Sequence, residues 1–359
     1  MKQRSYISAR NMKPLDYSKI GQDGLDLVGI NIPEKYLGTM MSAMDSLEPS
    51  ITSGSITTPI QFLQAWMPGF VKIVTASRKI DDLVGIQTIG SWEDEEVVQG
   101  SMELSGTSVP YGDYTNIPYS SWNTNFERRS IIRFEEGMRI GSLEEARAAK
   151  MRVNAADAKR ESSALALEIQ RNRIGFYGYN NGSNRTYGFL NDPALSAYSS
   201  VASGVGGVHW YQKTFLEITA DLREMASSLR TQSGDIIDVA STETTLAIAT
   251  AAVDYLTTTS EFGISVYDWI SKTFNGKMRI ISAPELNGAN GGANAIYLYA
   301  DKVDDTSTDG GMVFAQMVPT KFQVIGVQKL AKGYEEDYSN ATAGVMLKRP
   351  WAVIRRSGI

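Results

Sequence analysis

The sequence predicts an α+β protein, and three observations carry the prediction. Residues 142–173 form one long helical run, bounded by Gly141 and Gly175, with no glycine or proline inside it. Between residues 200 and 300, amphipathic helical stripes alternate with short apolar strands around glycine-rich turns, as in a domain built on a central sheet. Residues 92–133 read as a two-armed excursion with turn formers at its tip.

The 359-residue chain is long enough for two domains, and its 42% apolar and 21% charged composition is that of an ordinary globular protein. Its net charge of −5 argues against a protein that grips nucleic acid through phosphates, which needs a concentrated basic face. There is no cysteine and one histidine, His209, so disulfides, thiolate metal sites and paired-histidine chemistry are excluded. The basic start (Lys2, Arg4) leads into no apolar run, and no stretch approaches the ~18 apolar residues of a membrane span. We read neither a signal peptide nor a span.

Taken in order, residues 1–55 form an N-terminal arm in which Lys2, Arg4, Arg10, Lys13 and Lys19 outweigh Asp16. A Ser/Thr/Gly-rich tract at 51–58 links it to the body. A short helix is expected at 60–67, and Leu83, Val84, Ile86 and Ile89 read as a strand. The outgoing arm of 92–133 carries Glu93, Asp94, Glu95 and Glu96, and the returning arm Arg128, Arg129 and Arg133. If the arms pair, acids face bases across a twisted hairpin. A tip of this length without a core of its own makes sense lying on another subunit, so these seven residues are the subunit-interface candidates.

Residues 142–173 begin with Ser142 and Glu145 at capping-box spacing and are rich in alanine, which favours one helix about 48 Å long. Its apolar stripe (Leu143, Ala146, Val153, Ala156, Leu167, Ile169) is narrow, which suits a rod laid along one side of a sheet. A proline at Ala156 should break such a rod. Further on, 213–229 has helical spacing (Phe215, Ile218, Leu222, Met225, Leu229), 235–240 is strand-like, 242–255 helix-like and 265–273 helical. Strands follow at 278–282, 295–300, 311–316, 322–327, 345–347 and 352–355.

No motif assembles a catalytic site. The glycines at 204–207 and 288–292 lack the strand-to-helix setting of a phosphate-binding loop. His209 has no nucleophile elbow to serve. Glu93–Glu96 lacks calcium-loop spacing, and the acids at 304–305 and 335–337 read as solvated turn residues. We expect no enzyme activity, no cofactor and no metal.

Three stretches carry a family resemblance. Gly188-Phe189-Leu190-Asn191-Asp192-Pro193 is similar to the turn that follows the spine helix of tailed-bacteriophage major capsid proteins of the Hong Kong 97-type fold. Ser282-Ala283-Pro284-Glu285-Leu286 resembles a strand end of the same family. The tail Ala343-Gly344-Val345, Arg349-Pro350 and Gly358-Ile359 resembles its C-terminus. The resemblance implies a peripheral (P) domain from 56–91, 134–194 and 316–359, with 142–173 as its spine helix. It also implies an E-loop at 92–133 and an axial (A) domain at 195–315. It further implies self-assembly as pentamers and hexamers into an icosahedral shell around double-stranded DNA, in a virion assembled in the host cytoplasm. A portal, possible decoration proteins and a separate scaffolding protein would be the partners, since only about 55 residues precede the body. No lysine lies between Lys79 and Lys150, so the E-loop cannot supply one to an isopeptide cross-link. The alternatives are an encapsulin-like nanocompartment shell and, from another class, a soluble α/β enzyme.

Overall fold

A computed structural model describes residues 78–151, 154–182 and 184–359. The expected arm at 1–55 and the helix at 60–67 lie outside them. Helix α1 (Ile80–Val84) and strand β1 (Ile86–Gln87) open the described chain, followed by β2 (Glu96–Ser105), β3 (Ser121–Ser130) and β4 (Ile132–Gly141). Helices α2 (Ser142–Lys150) and α3 (Ala155–Tyr177) come next, then β5 (Ser199–Ser200), α4 (Phe215–Gln232), β6 (Thr244–Ala249), α5 (Val266–Thr273), β7 (Met278–Ala283) and β8 (Ala295–Ala300). The chain closes with β9 (Phe314–Met317), β10 (Thr320–Leu330), β11 (Gly333–Thr342), β12 (Val345–Leu347) and β13 (Val353–Ser357).

The main core surrounds a five-stranded mixed sheet in the order β5-β13-β8-β6-β7. Every residue of β6 and β8 is buried, as expected of central strands covered on both faces. Helix α4 lays Ile218, Leu222, Met225 and Leu229 into the core and starts at a capping box between Thr214 and Glu217. A second sheet, β10-β11-β4, carries α3 on one face, where Leu167 packs with Met138 and Tyr338. Arg160 of α3 donates two hydrogen bonds to the Glu336 carboxylate of β11. At Gly175 α3 crosses Ile80 so closely that a Cβ would lie 2.6 Å from the isoleucine side chain.

Several expectations are corrected. The long rod is two helices. Gly141, not Ser142, stands at the N-cap of α2, with no side-chain cap, and the Ser142 amide donates to the Lys332 carbonyl. Asn154 caps α3 by accepting from the amides of Ala156 and Asp157. Asparagine favours that position because its side chain competes for backbone donors, and no glycine or proline is needed to end α2. Ala156 consequently lies in the first turn of α3, where a proline would remove one amide from the Asn154 cap but no interior helix bond, so that substitution is not the rod-breaker expected.

Residues 235–240 are irregular turn, with Asp235 at φ 63°, and 244–249 form a central strand instead of a helix. Leu83 and Val84 end a helix, and only Ile86–Gln87 is strand. The acids at 335–337 lie within β11, a strand the sequence did not announce. The closing strand β13 pairs antiparallel with β8 in the five-stranded sheet. Among the described residues no helix is long and apolar enough to cross a membrane.

Replacing Asn154 with alanine should destabilise the fold by about 1 kcal/mol through loss of the α3 cap, read as a lowered midpoint in urea. An unchanged midpoint would show that the helix start is held by packing alone.

Candidate functional site

The arms at 92–133 form an antiparallel hairpin, β2 and β3, in register from Glu96 opposite Ser130 to Ser105 opposite Ser121. Its two ends differ sharply. From residue 100 to 126 every side chain is exposed except half-buried Gly112, including Leu104 (78%), Tyr111 (93%), Tyr114 and Tyr119 (91%). The root, by contrast, is fixed on all sides.

Val97 and Ile131 enter a small core with Met317, Ala341, Ala343 and Met346. The Ile131 amide donates to the Glu95 carbonyl, and the Thr186 hydroxyl to the Ser130 carbonyl at 2.7 Å. Trp92 donates from its indole to Ser339, while Arg133 lies over the Trp92 ring and donates to the Trp92 and Asp94 carbonyls.

Arg129 holds the centre of the root. Expected on an exposed face, it is 2% exposed. Its guanidinium donates to Asp192 at 3.0 Å, lies 2.6 Å from Glu127 and covers the Tyr187 ring. Asp192, also buried, accepts the Leu347 amide on the same oxygen and the Ala194 amide on the other. Asn191 accepts from the Gly188 amide and donates to the Tyr177 carbonyl. The 188–193 turn therefore joins the hairpin root, the end of α3 and β12. A Cβ at Gly188 would collide with the Phe176 carbonyl, so the turn admits only glycine there.

The other candidates stay at the surface. Arg128 faces Glu96 at 3.6 Å and Arg133 faces Glu95 at 3.5 Å, exposed pairs contributing ~0.2–1 kcal/mol each. Glu93 and Asp94 are exposed with no ion-pair partner among the described residues.

Two acidic groups expected in solvated turns are engaged instead. Glu336 is pulled down to about 2 by hydrogen bonds from Arg160 and then Tyr338. Asp305 and Asp309 grip Arg349 from both sides, and the guanidinium lowers Asp309 to about 2 and Asp305 further. His209 stacks on Tyr211, and the Gly204 turn is tied to α4 through Val205 and Glu217. Among the described residues no group of three or more potential ligands could hold a metal.

The hairpin is thus an anchored root carrying an exposed blade, and the fold is that of phage capsid proteins. The Myoviridae phage XM1 capsid is similar over 86% of this chain and 100% of that one, at a TM-score of 0.68 and 13% identity. The native GTA particle capsid follows at 0.56 and 7% identity, covering 85% and 99%, and Gordonia phage Cozz at 0.52 and 13%, covering 87% and 98%. At such identities the likeness shows the fold alone. No curated protein matches. The family model described as Pa193 gp26 major capsid protein matches residues 49–358, and the chain belongs to that family.

Replacing Arg129 with methionine leaves the Asp192 carboxylate buried without its counter-charge, and should destabilise the fold by ~3–5 kcal/mol in urea unfolding. A loss below about 1 kcal/mol would show that the pair does not hold the root.

Acid should destabilise the subunit through Glu336 and Asp309. Their folded values lie below the ordinary 4.5 and 3.8, so the unfolded chain takes up protons first. Their stabilisation is full above about pH 5 and is lost as pH falls towards 2. Glu336→Gln and Asp309→Asn should each flatten the stability profile in that window, and parallel profiles would refute the assignment.

Proposed function

We propose that this major capsid protein assembles with copies of itself, as pentamers and hexamers, into an icosahedral shell enclosing the double-stranded DNA of a tailed phage. Its role is structural, without catalysis, and its place is the virion. A separate scaffolding protein and a portal complete the assembly, which takes place in the host cytoplasm. The observation that carries this reading is the blade from 100 to 126, which holds large apolar side chains such as Leu104, Tyr111 and Trp122 exposed on an anchored root.

A two-stranded hairpin is marginal in water by itself. The blade supports the reading because Leu104, Tyr111, Ile117, Tyr119 and Trp122 gain burial only against another copy. The overall acidity also fits, since DNA inside the shell must move past the wall without being trapped. In this reading 56–91, 134–194 and 316–359 make the P-domain, 92–133 the E-loop and 195–315 the A-domain.

Negative-stain electron microscopy of purified protein should show icosahedral shells or hexameric capsomers. Residues 98–124 should be cut by protease in dissociated subunits and resist it in assembled ones. Equal cleavage in both states would sink the role given to the blade, and small discrete oligomers would sink the shell.

A further inference from the structure

Charge is divided between the two ends of β4. At its start, beside Arg133, the turn before β2 carries Glu93, Asp94 and Glu95 and β2 opens with Glu96, and of these only Glu95 and Glu96 face arginines. At its far end, Lys332 in the β10–β11 turn accepts the Ser142 amide on its carbonyl, and Gly333 pairs with Gly141. Lys329 and Lys332 are exposed there without a carboxylate partner among the described residues, beside Arg139, which is 73% exposed and pairs with Glu335. Arg147 of α2 adds a further exposed cation. The neighbouring carboxylates are Glu144, held by Lys159, and Glu145 in the first turn of α2. A basic corner thus stands on a chain that is acidic as a whole.

The two ends lie roughly 25 Å apart along the strand, so they cannot neutralise each other within one copy at physiological salt. We propose that the basic corner (Lys329, Lys332, Arg139) of one subunit docks on the acidic turn (Glu93–Glu96) of a second copy, head to tail. This rests on the reading that the chain self-assembles, and it adds the direction and residues of one contact. Because the two surfaces differ, the contact is heterologous: repeated with a rotation that divides the full turn it closes a ring, and with any other it builds an open filament. Charge pairing of this kind sets register and partner choice more than total affinity.

The test is a charge swap combined with cross-linking. Lys329→Glu/Lys332→Glu should weaken subunit association about tenfold or more and lower particle yield accordingly, while circular dichroism of the subunit stays unchanged. Adding Glu93→Lys/Glu95→Lys should restore association. Unchanged association in the first variant, or no restoration in the second, would overturn the proposal. The chain has no cysteine, so Lys332→Cys and Glu93→Cys proteins can be mixed under oxidation without background. Disulfide-linked dimers should form in the mixture and not in either variant alone. Dimers absent from the mixture, or equally abundant in the single variants, would refute the contact. Because the cross-link reports any association, whatever the particle's shape, it separates this contact from the icosahedral reading, which electron microscopy of the wild type decides.

Discussion

The buried pair of Arg129 and Asp192 is the interaction on which the working shape depends. A hairpin lever is only as rigid as its root, and this root is fixed by a guanidinium shared between Asp192, Glu127 and the Tyr187 ring. Asp192 in turn holds the amides of Ala194 and Leu347, so one carboxylate joins β3, the 188–193 turn and β12. Desolvating such a pair offsets much of its attraction. Its contribution is therefore positional: with either partner missing, the other charge is left buried, which disfavours any alternative seating of the hairpin.

The same logic recurs at two further joints. Arg160 and Glu336 register α3 on β11, and Arg349 held between Asp305 and Asp309 pins the loop before β9 to the link between β12 and β13. In each case an arginine fork meets carboxylates from a segment distant in sequence, a planar geometry that a lysine could not reproduce. Packing supplies the bulk of the free energy in the five-stranded core, and these forks choose among packings of similar burial.

Much of this was legible in the sequence, and the failures have physical causes. The stripe of α4, the Ser265 start of α5, strands β7 and β8 and the two arms of the hairpin follow from local period and turn chemistry. Strand β6 did not, because a short apolar run such as Thr244–Ala249 has no period that separates a buried strand from a helix. The acids of β11 looked like turn residues because their partner, Arg160, comes from another element. Arg128 and Arg129 look alike in sequence, yet the pleat sends one outwards and buries the next. Asn154 carried the signal for the helix break, outweighed by the high helix propensity around it.

Placing weak contacts on rigid joints also bears on how a shell forms. An assembly of many copies needs each contact to be reversible until the neighbours are correct, since a strong early contact would trap misplaced subunits. Exposed ion pairs between copies, such as those proposed between the acidic turn and the basic corner, would contribute only ~0.2–1 kcal/mol each and meet that need. In the proposed assembly the blade differs: its exposed aromatic side chains gain burial only when a neighbour presents a matching surface along its length. Long-range charge can thus orient an approaching copy while the blade remains solvated, and apolar burial then holds the copy that fits. That order of events requires the blade to arrive already aimed, which returns the argument to Arg129: a hairpin free to pivot would lose to conformational entropy what it gains in contact.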